Sequence, residues 1–128
     1  MYKEMFRELS LKINDSDNPY KKDDLEIVEE YPNKCSYYIE KVVSMESAIL
    51  IARFRMEPED YRNYIMELDR SRKIAHDALI AETKILNKIC QIYGYPEIYN
   101  GSFENRNEIA EFAKKIVDEF FEKRQRAV

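Results

Sequence analysis

Breakers of regular structure are scarce in this chain. Glycine occurs twice and proline four times in 128 residues. So few interruptions exclude a fold of many short strands joined by tight turns and favour long helices. Two isolated glycines also exclude a glycine-rich phosphate loop. Histidine occurs once, and the two cysteines, Cys35 and Cys90, lie far apart, whereas a zinc site needs such donors clustered. No stretch approaches the roughly 18 uncharged apolar residues of a membrane span; the longest apolar run, Ala48 to Ala52, is of core size. Residues Met1 to Glu8 lack the apolar centre of a signal peptide. The expectation is a cytoplasmic protein with reduced thiols, no metal and no cofactor.

What is present is a folded, strongly charged composition. Hydrophobic residues make up 45% and charged residues 36%, which argues for one globular domain and against disorder. The net charge is −4, from 21 basic and 25 acidic side chains. A mildly acidic chain is poorly suited to neutralising phosphates. The densest basic cluster, Arg70, Arg72 and Lys73, is flanked by Asp69 and Asp77, so nucleic-acid binding is not the expected role.

Apolar spacing sets out the helices. Tyr2, Met5, Phe6, Leu9 and Ile13 recur at helical intervals in a short first helix. Asn18 and Pro19 form a cap and first-turn pair for a second short helix, which Pro32 would end. Residues 1–31 thus read as an N-terminal arm, loosely attached to the rest. Asn33 can cap a main helix over about 34–56, whose apolar arc holds Tyr38, Ile39, Val42, Val43, Met45, Ile49, Leu50 and Phe54.

Pro58 opens a second main helix that nothing interrupts before Gly94, so it covers about 58–93. It carries two overlapping apolar seams, one through Tyr64, Leu68, Ala78, Ile85 and Ile92, the other through Ile65, Leu68, Leu79, Leu86 and Tyr93. Two seams suit a central helix with at least two partners. Asn105, with Glu108 three residues on, caps a third main helix over about 105–126, with Ile109, Phe112, Ile116 and Phe120 on its apolar face. Lys123, Arg124 and Arg126 suit its negative end. The expected fold is an all-α bundle of three main helices plus one or two short N-terminal ones, forming a single domain over 1–128.

Polar residues inside apolar arcs are the candidate site. Glu46 falls in the middle of the arc of 34–56, with Arg53 near the same line, and Arg72 and Glu82 interrupt the second seam. A buried charge needs a partner or a route to water. A tight hairpin around Glu57 would bring Glu46 level with Leu68, about one turn from Arg72, so an interhelical Glu46–Arg72 ion pair is expected. Asp69, Arg72, His76 and Thr83 share one strip of the long helix at i,i+3 and i,i+4 spacing. A histidine beside carboxylates can serve as a general base; the blander role is a half-buried ring held by its neighbours. His76-Asp77 supplies the dipeptide of the HD hydrolases, but that chemistry needs further histidines. Paired Glu-x-x-His motifs of diiron bundles fail likewise, because residue 73 is lysine. Glu26, Glu29, Glu30, Glu57 and Asp60 could be imagined holding Mg²⁺, yet acid pairs at this spacing are common on solvated helices.

The stretch Arg72-Lys73-Ile74-Ala75-His76-Asp77-Ala78-Leu79-Ile80, running on to Leu86-Asn87, resembles a small helical family of unknown function from Gram-positive bacteria and their mobile elements. The resemblance spans about residues 60–95. It implies an all-helical cytosolic domain, transfers no activity, and adds weight to Arg72, His76 and Asp77. The function expected is that of a non-enzymatic interaction or structural protein, self-associating or binding another helical protein. The alternatives are a small enzyme or ligand binder with a charged pocket around Glu46, Asp69, Arg72 and His76, and a nucleic-acid-associated regulator.

Overall fold

The computed structural model describes residues 1–126, with side chains through residue 121. It contains four helices, α1 (Tyr2–Asn14), α2 (Lys21–Arg55), α3 (Pro58–Ile92) and α4 (Arg106–Arg126), and no strand among the described residues. The expected basic last turn of α4 lies outside the described side chains.

Helices α2 and α3 form an antiparallel hairpin. Met56 and Glu57 are both extended, and Pro58 starts α3 at its first turn. The hydrogen-bonded pairs Tyr31/Thr83 and Tyr38/His76 sit at matching levels on the two helices, in the register expected for a tight turn at Glu57. Each helix has 35 residues, or about 52 Å at 1.5 Å per residue.

Two expectations are corrected. Pro32 does not end a helix, and Asn33, exposed in mid-helix, caps nothing: α2 runs through both. An interior proline loses one backbone hydrogen bond and costs about 3 kcal/mol. Here Pro32 is buried, and its neighbours Val28, Tyr31 and Cys35 are sealed in the core, so tertiary packing outweighs the local preference. Nor is the long helix α3 the centre. α2 packs against α1, α3 and α4 alike, while the main helical partner of α3 is α2. The outer seam of α3 is covered only in part, since Ala78, Ile85 and Ile92 are exposed.

Residues 1–31, expected as an arm, supply Phe6, Leu9, Ile13, Val28 and Tyr31 to the main core. Aromatic contacts join α1 to α4 through Tyr2–Phe112 at 5.4 Å and Phe6–Phe120 at 5.3 Å between centroids. The Met1 ammonium donates to Glu119 Oε1 at 2.7 Å. Burial alone would raise the Glu119 carboxyl, but hydrogen bonds from that ammonium and from the Lys3 amide, with the ammonium charge, bring it below its ordinary value.

The segment between α3 and α4 covers the lower end of the hairpin. Gly94 takes φ +80°, Tyr95 N–H donates to Cys90 O at 2.8 Å and Gly94 N–H to Gln91 O at 3.1 Å, which is a Schellman stop. Asn87, buried on α3, clamps the segment: its Nδ2 donates to Tyr99 O at 2.8 Å and its Oδ1 accepts from Tyr99 N–H at 3.1 Å. Asn105 Oδ1 then caps α4 by accepting from the amides of Asn107 and Glu108 at 3.1 and 3.2 Å, as its position in the sequence predicts.

The charge of Arg106, the first residue of α4, acts on both rings of the Tyr38/His76 pair. Beyond that pair, between residues 43 and 75, only Met45 and Ala52 are buried. The hairpin therefore continues past the four-helix base as a two-helix arm, sealed by one seam.

Candidate functional site

The sequence singled out four polar residues, and the structure brings only some of them together. His76 is 2% exposed. Its Nδ1 lies 2.7 Å from the Tyr38 hydroxyl, and its Nε2 is buried without a hydrogen-bond partner. Burial lowers the His76 pKa, the positive charges of Arg106 and Arg72 lower it further, and Asp77 opposes them. The ring is therefore neutral near neutral pH. Burial raises the Tyr38 hydroxyl, with Arg72 and Arg106 pulling the other way. The imidazole is enclosed, with one nitrogen held by a tyrosine and the other without a partner.

Asp69 and Arg72 form a half-exposed pair at 3.4 Å along α3, the kind of contact worth about 0–1 kcal/mol. Glu46 is not with them. It is exposed and makes no ion pair among the described residues, so the expected Glu46–Arg72 bridge does not form. Its level was read correctly, but its face was not. The seam that meets α3 runs through Tyr38, Met45 and Ala52, with Ile49 half-buried beside them, and Glu46 points about 100° away from Met45. Thr83, the fourth member of the expected strip, instead donates to Leu79 O at 2.7 Å and accepts from the buried Tyr31 hydroxyl at 2.7 Å.

Among the described residues no group of three His, Cys, Asp or Glu side chains could hold a metal ion. Cys35 and Cys90 are free and buried. Burial pushes the Cys35 thiol up to about 12, despite a hydrogen bond with Tyr31 that lowers it, and burial raises Cys90 as well, so neither is an activated nucleophile. A broad hollow of about 860 Å³ lies between α1, α2 and the far end of α4, lined by Phe6, Val28, Pro32 and Phe120 together with polar side chains such as Arg7 and Glu29. No described helix is long and apolar enough to cross a membrane.

The feature that sequence reasoning missed is on the arm. Val43, Leu50 and Phe54 were assigned to the core, yet they are 55%, 60% and 80% exposed. With the exposed Ser47 they recur at i, i+4, i+7 and i+11, the spacing of a coiled-coil seam. The stripe lies on the side of α2 away from the seam of Tyr38, Met45 and Ala52 that α3 seals, and no described residue covers it. Glu46 and Arg53 border the stripe along one edge, seven residues apart. Met66 on α3 is exposed beside the arm's seam as well.

With this geometry in view, comparison with known proteins adds a family. A family described as "Protein of unknown function (DUF3232)" matches residues 4–126. The chain belongs to that family. No curated protein and no solved structure matches it. The DUF3232 match covers all four helices, the base and the arm alike, so both are parts of one family unit.

Proposed function

We propose that this chain is a non-enzymatic helical interaction protein whose working surface is the two-helix arm, and that it acts by self-association in a reducing, cytoplasmic setting. The observation that carries the reading is the bare stripe Val43–Ser47–Leu50–Phe54. Single exposed apolar residues are ordinary, but a row of them at seam spacing on a projecting hairpin marks a contact surface. The sealed cysteines suit a reducing compartment, and the buried Tyr38/His76 pair reads as packing within the hairpin.

The test is light scattering coupled to gel filtration on the full chain, from about 1 to 200 µM. The expected result is a mass above the 15.4 kDa of one chain that rises with concentration, and a fall towards that mass for Leu50→Arg. A chain that stays at 15.4 kDa throughout overturns self-association.

One observation favours a second reading, a small-ligand site at His76: the Nε2 atom has no partner. A shift of the His76 ring resonances on adding a small anion, absent in His76→Asn, would support it; unchanged resonances would remove it.

A further inference from the structure

The arm's stripe has a symmetry that points to its occupant. Large and small residues alternate so that the row fits a reversed copy of itself. Lay two α2 helices antiparallel, with the two-fold axis between Ala48 and Ile49. Val43 then faces Phe54 of the partner subunit, and Ser47 faces Leu50 of the partner subunit. The small serine makes room for the leucine, and the same contacts recur on the other side of the axis.

The charges fit the same register. Across an antiparallel helix pair, each edge of the seam meets the equivalent edge of its mate. Glu46 and Arg53 border one edge of the stripe, are exposed, and make no ion pair among the described residues. In the antiparallel arrangement Glu46 comes within about one turn of Arg53 of the partner subunit, twice over. On the opposite edge Glu40 approaches Arg55 of the partner subunit. Glu40 and Glu46 lie toward the start of the arm's α2 and Arg53 and Arg55 toward its end, while Lys41 sits over the Tyr37 ring, 5.8 Å from its centroid. A parallel pairing would set like charges against each other, whereas the reversed pairing sets opposite charges together.

Length agrees too. The bare stripe of α2 runs from Val43, just above the Tyr38/His76 pair, to the hairpin turn at Met56. In this register the partner's turn reaches the level of Glu40, two residues beyond Tyr38. The second arm thus spans the whole bare stripe and stops short of the Tyr38/His76 pair.

We infer that two copies of this chain dock arm to arm, antiparallel through Val43, Ser47, Leu50 and Phe54, with Glu46–Arg53 bridges between subunits fixing the register. This rests on the self-association proposed above and adds the partner, the direction and the contacts. Glu46 thereby gains the role that its place in an apolar arc suggested: it pairs across copies, not across the hairpin.

The experiment is a charge swap read by sedimentation equilibrium on the full chain, with circular dichroism as the check on folding. Both sites are exposed, so the variants keep the native helix signal. Glu46→Arg alone and Arg53→Glu alone each place like charges together twice and weaken the dimer about tenfold; the double variant E46R/R53E restores it to within about threefold of the native constant. Leu50→Arg, which sets a charge in the seam twice, weakens it at least a hundredfold. Singles without effect, or a double variant as weak as the singles, overturn the antiparallel register while leaving self-association standing. A native chain that remains monomeric overturns both. A native mass other than twice that of one chain overturns the two-fold pairing.

Discussion

Asn87 offers the sharpest test of how the base is held together. Its side-chain amide pairs with both backbone groups of Tyr99, donating at 2.8 Å and accepting at 3.1 Å, as a neighbouring strand would. Both residues are buried. Asn87→Ala removes two hydrogen bonds and leaves the Tyr99 N–H and C=O with no partner. An orphaned buried polar group costs about 1–3 kcal/mol, so the variant loses about 2–5 kcal/mol. With a urea m-value of about 2 kcal/mol per M, the unfolding midpoint falls by about 1–2.5 M. Asn87→Asp sharpens the reasoning, because a carboxylate still accepts from Tyr99 N–H but turns a negative charge toward Tyr99 O. It is at least as destabilising as alanine at pH 7 and recovers in acid, where the protonated carboxyl can donate again. A loss below 1 kcal/mol for Asn87→Ala, with native helix content, would refute the clamp.

Four further outcomes follow from the same contacts. Because the folded His76 pKa lies below its unfolded value of about 6.5, the unfolded chain binds more protons in that interval and stability rises with pH through it; the stability difference between the native chain and His76→Asn shrinks as pH falls through about 6.5, measured by urea unfolding at pH 7.5, 6 and 5. Gly94→Ala places a Cβ at φ +80° and costs about 1–2 kcal/mol, seen as a lower Tm in calorimetry. Thr83→Val leaves the buried Tyr31 hydroxyl with only the Cys35 sulfur, a weak acceptor, as partner and costs about 1–3 kcal/mol, whereas Tyr31→Phe leaves Thr83 its bond to Leu79 O and costs about 1 kcal/mol; equal losses would contradict the donor assignment. Cys35, buried with its thiol raised to about 12, reacts with an aromatic disulfide reagent only as fast as the chain unfolds, and rapid native-state labelling of it would contradict the packing.

The helices were legible because their signals are local. Pro58 and Gly94 bound α3, and Asn105 caps α4, each through backbone geometry that two or three residues determine. The hairpin register was legible for the same reason, since a two-residue turn leaves little freedom. Pro32 misled because its local penalty is real but is overridden by Val28, Tyr31 and Cys35, and burial in a core is a property of the whole chain. The central place of α2 was hidden likewise. Its apolar face is partly core and partly bare, and nothing in α2 itself says which part the other helices cover.

Glu46 shows where the candidate site was and was not readable. A carboxylate in the middle of a wide apolar arc is a genuine anomaly, and the sequence displays it. Reading the arc as a single buried surface gave Glu46 the nearest buried cation, Arg72. The arc is two surfaces: a seam through Tyr38, Met45 and Ala52 that α3 seals, and a stripe through Val43, Leu50 and Phe54 that no described residue covers. Glu46 borders the second. Leaving three large apolar side chains in water forgoes about 1.5–3 kcal/mol each, so the bare stripe is costly unless some bound state recovers that energy. Two copies paired arm to arm would bury six such side chains and recover part of that energy, and the same pairing gives a fourfold set of edge charges its reason. On the proposed antiparallel pairing, the anomaly visible in the sequence marks an interface between chains, in a place where the sequence alone suggested an interface within the chain.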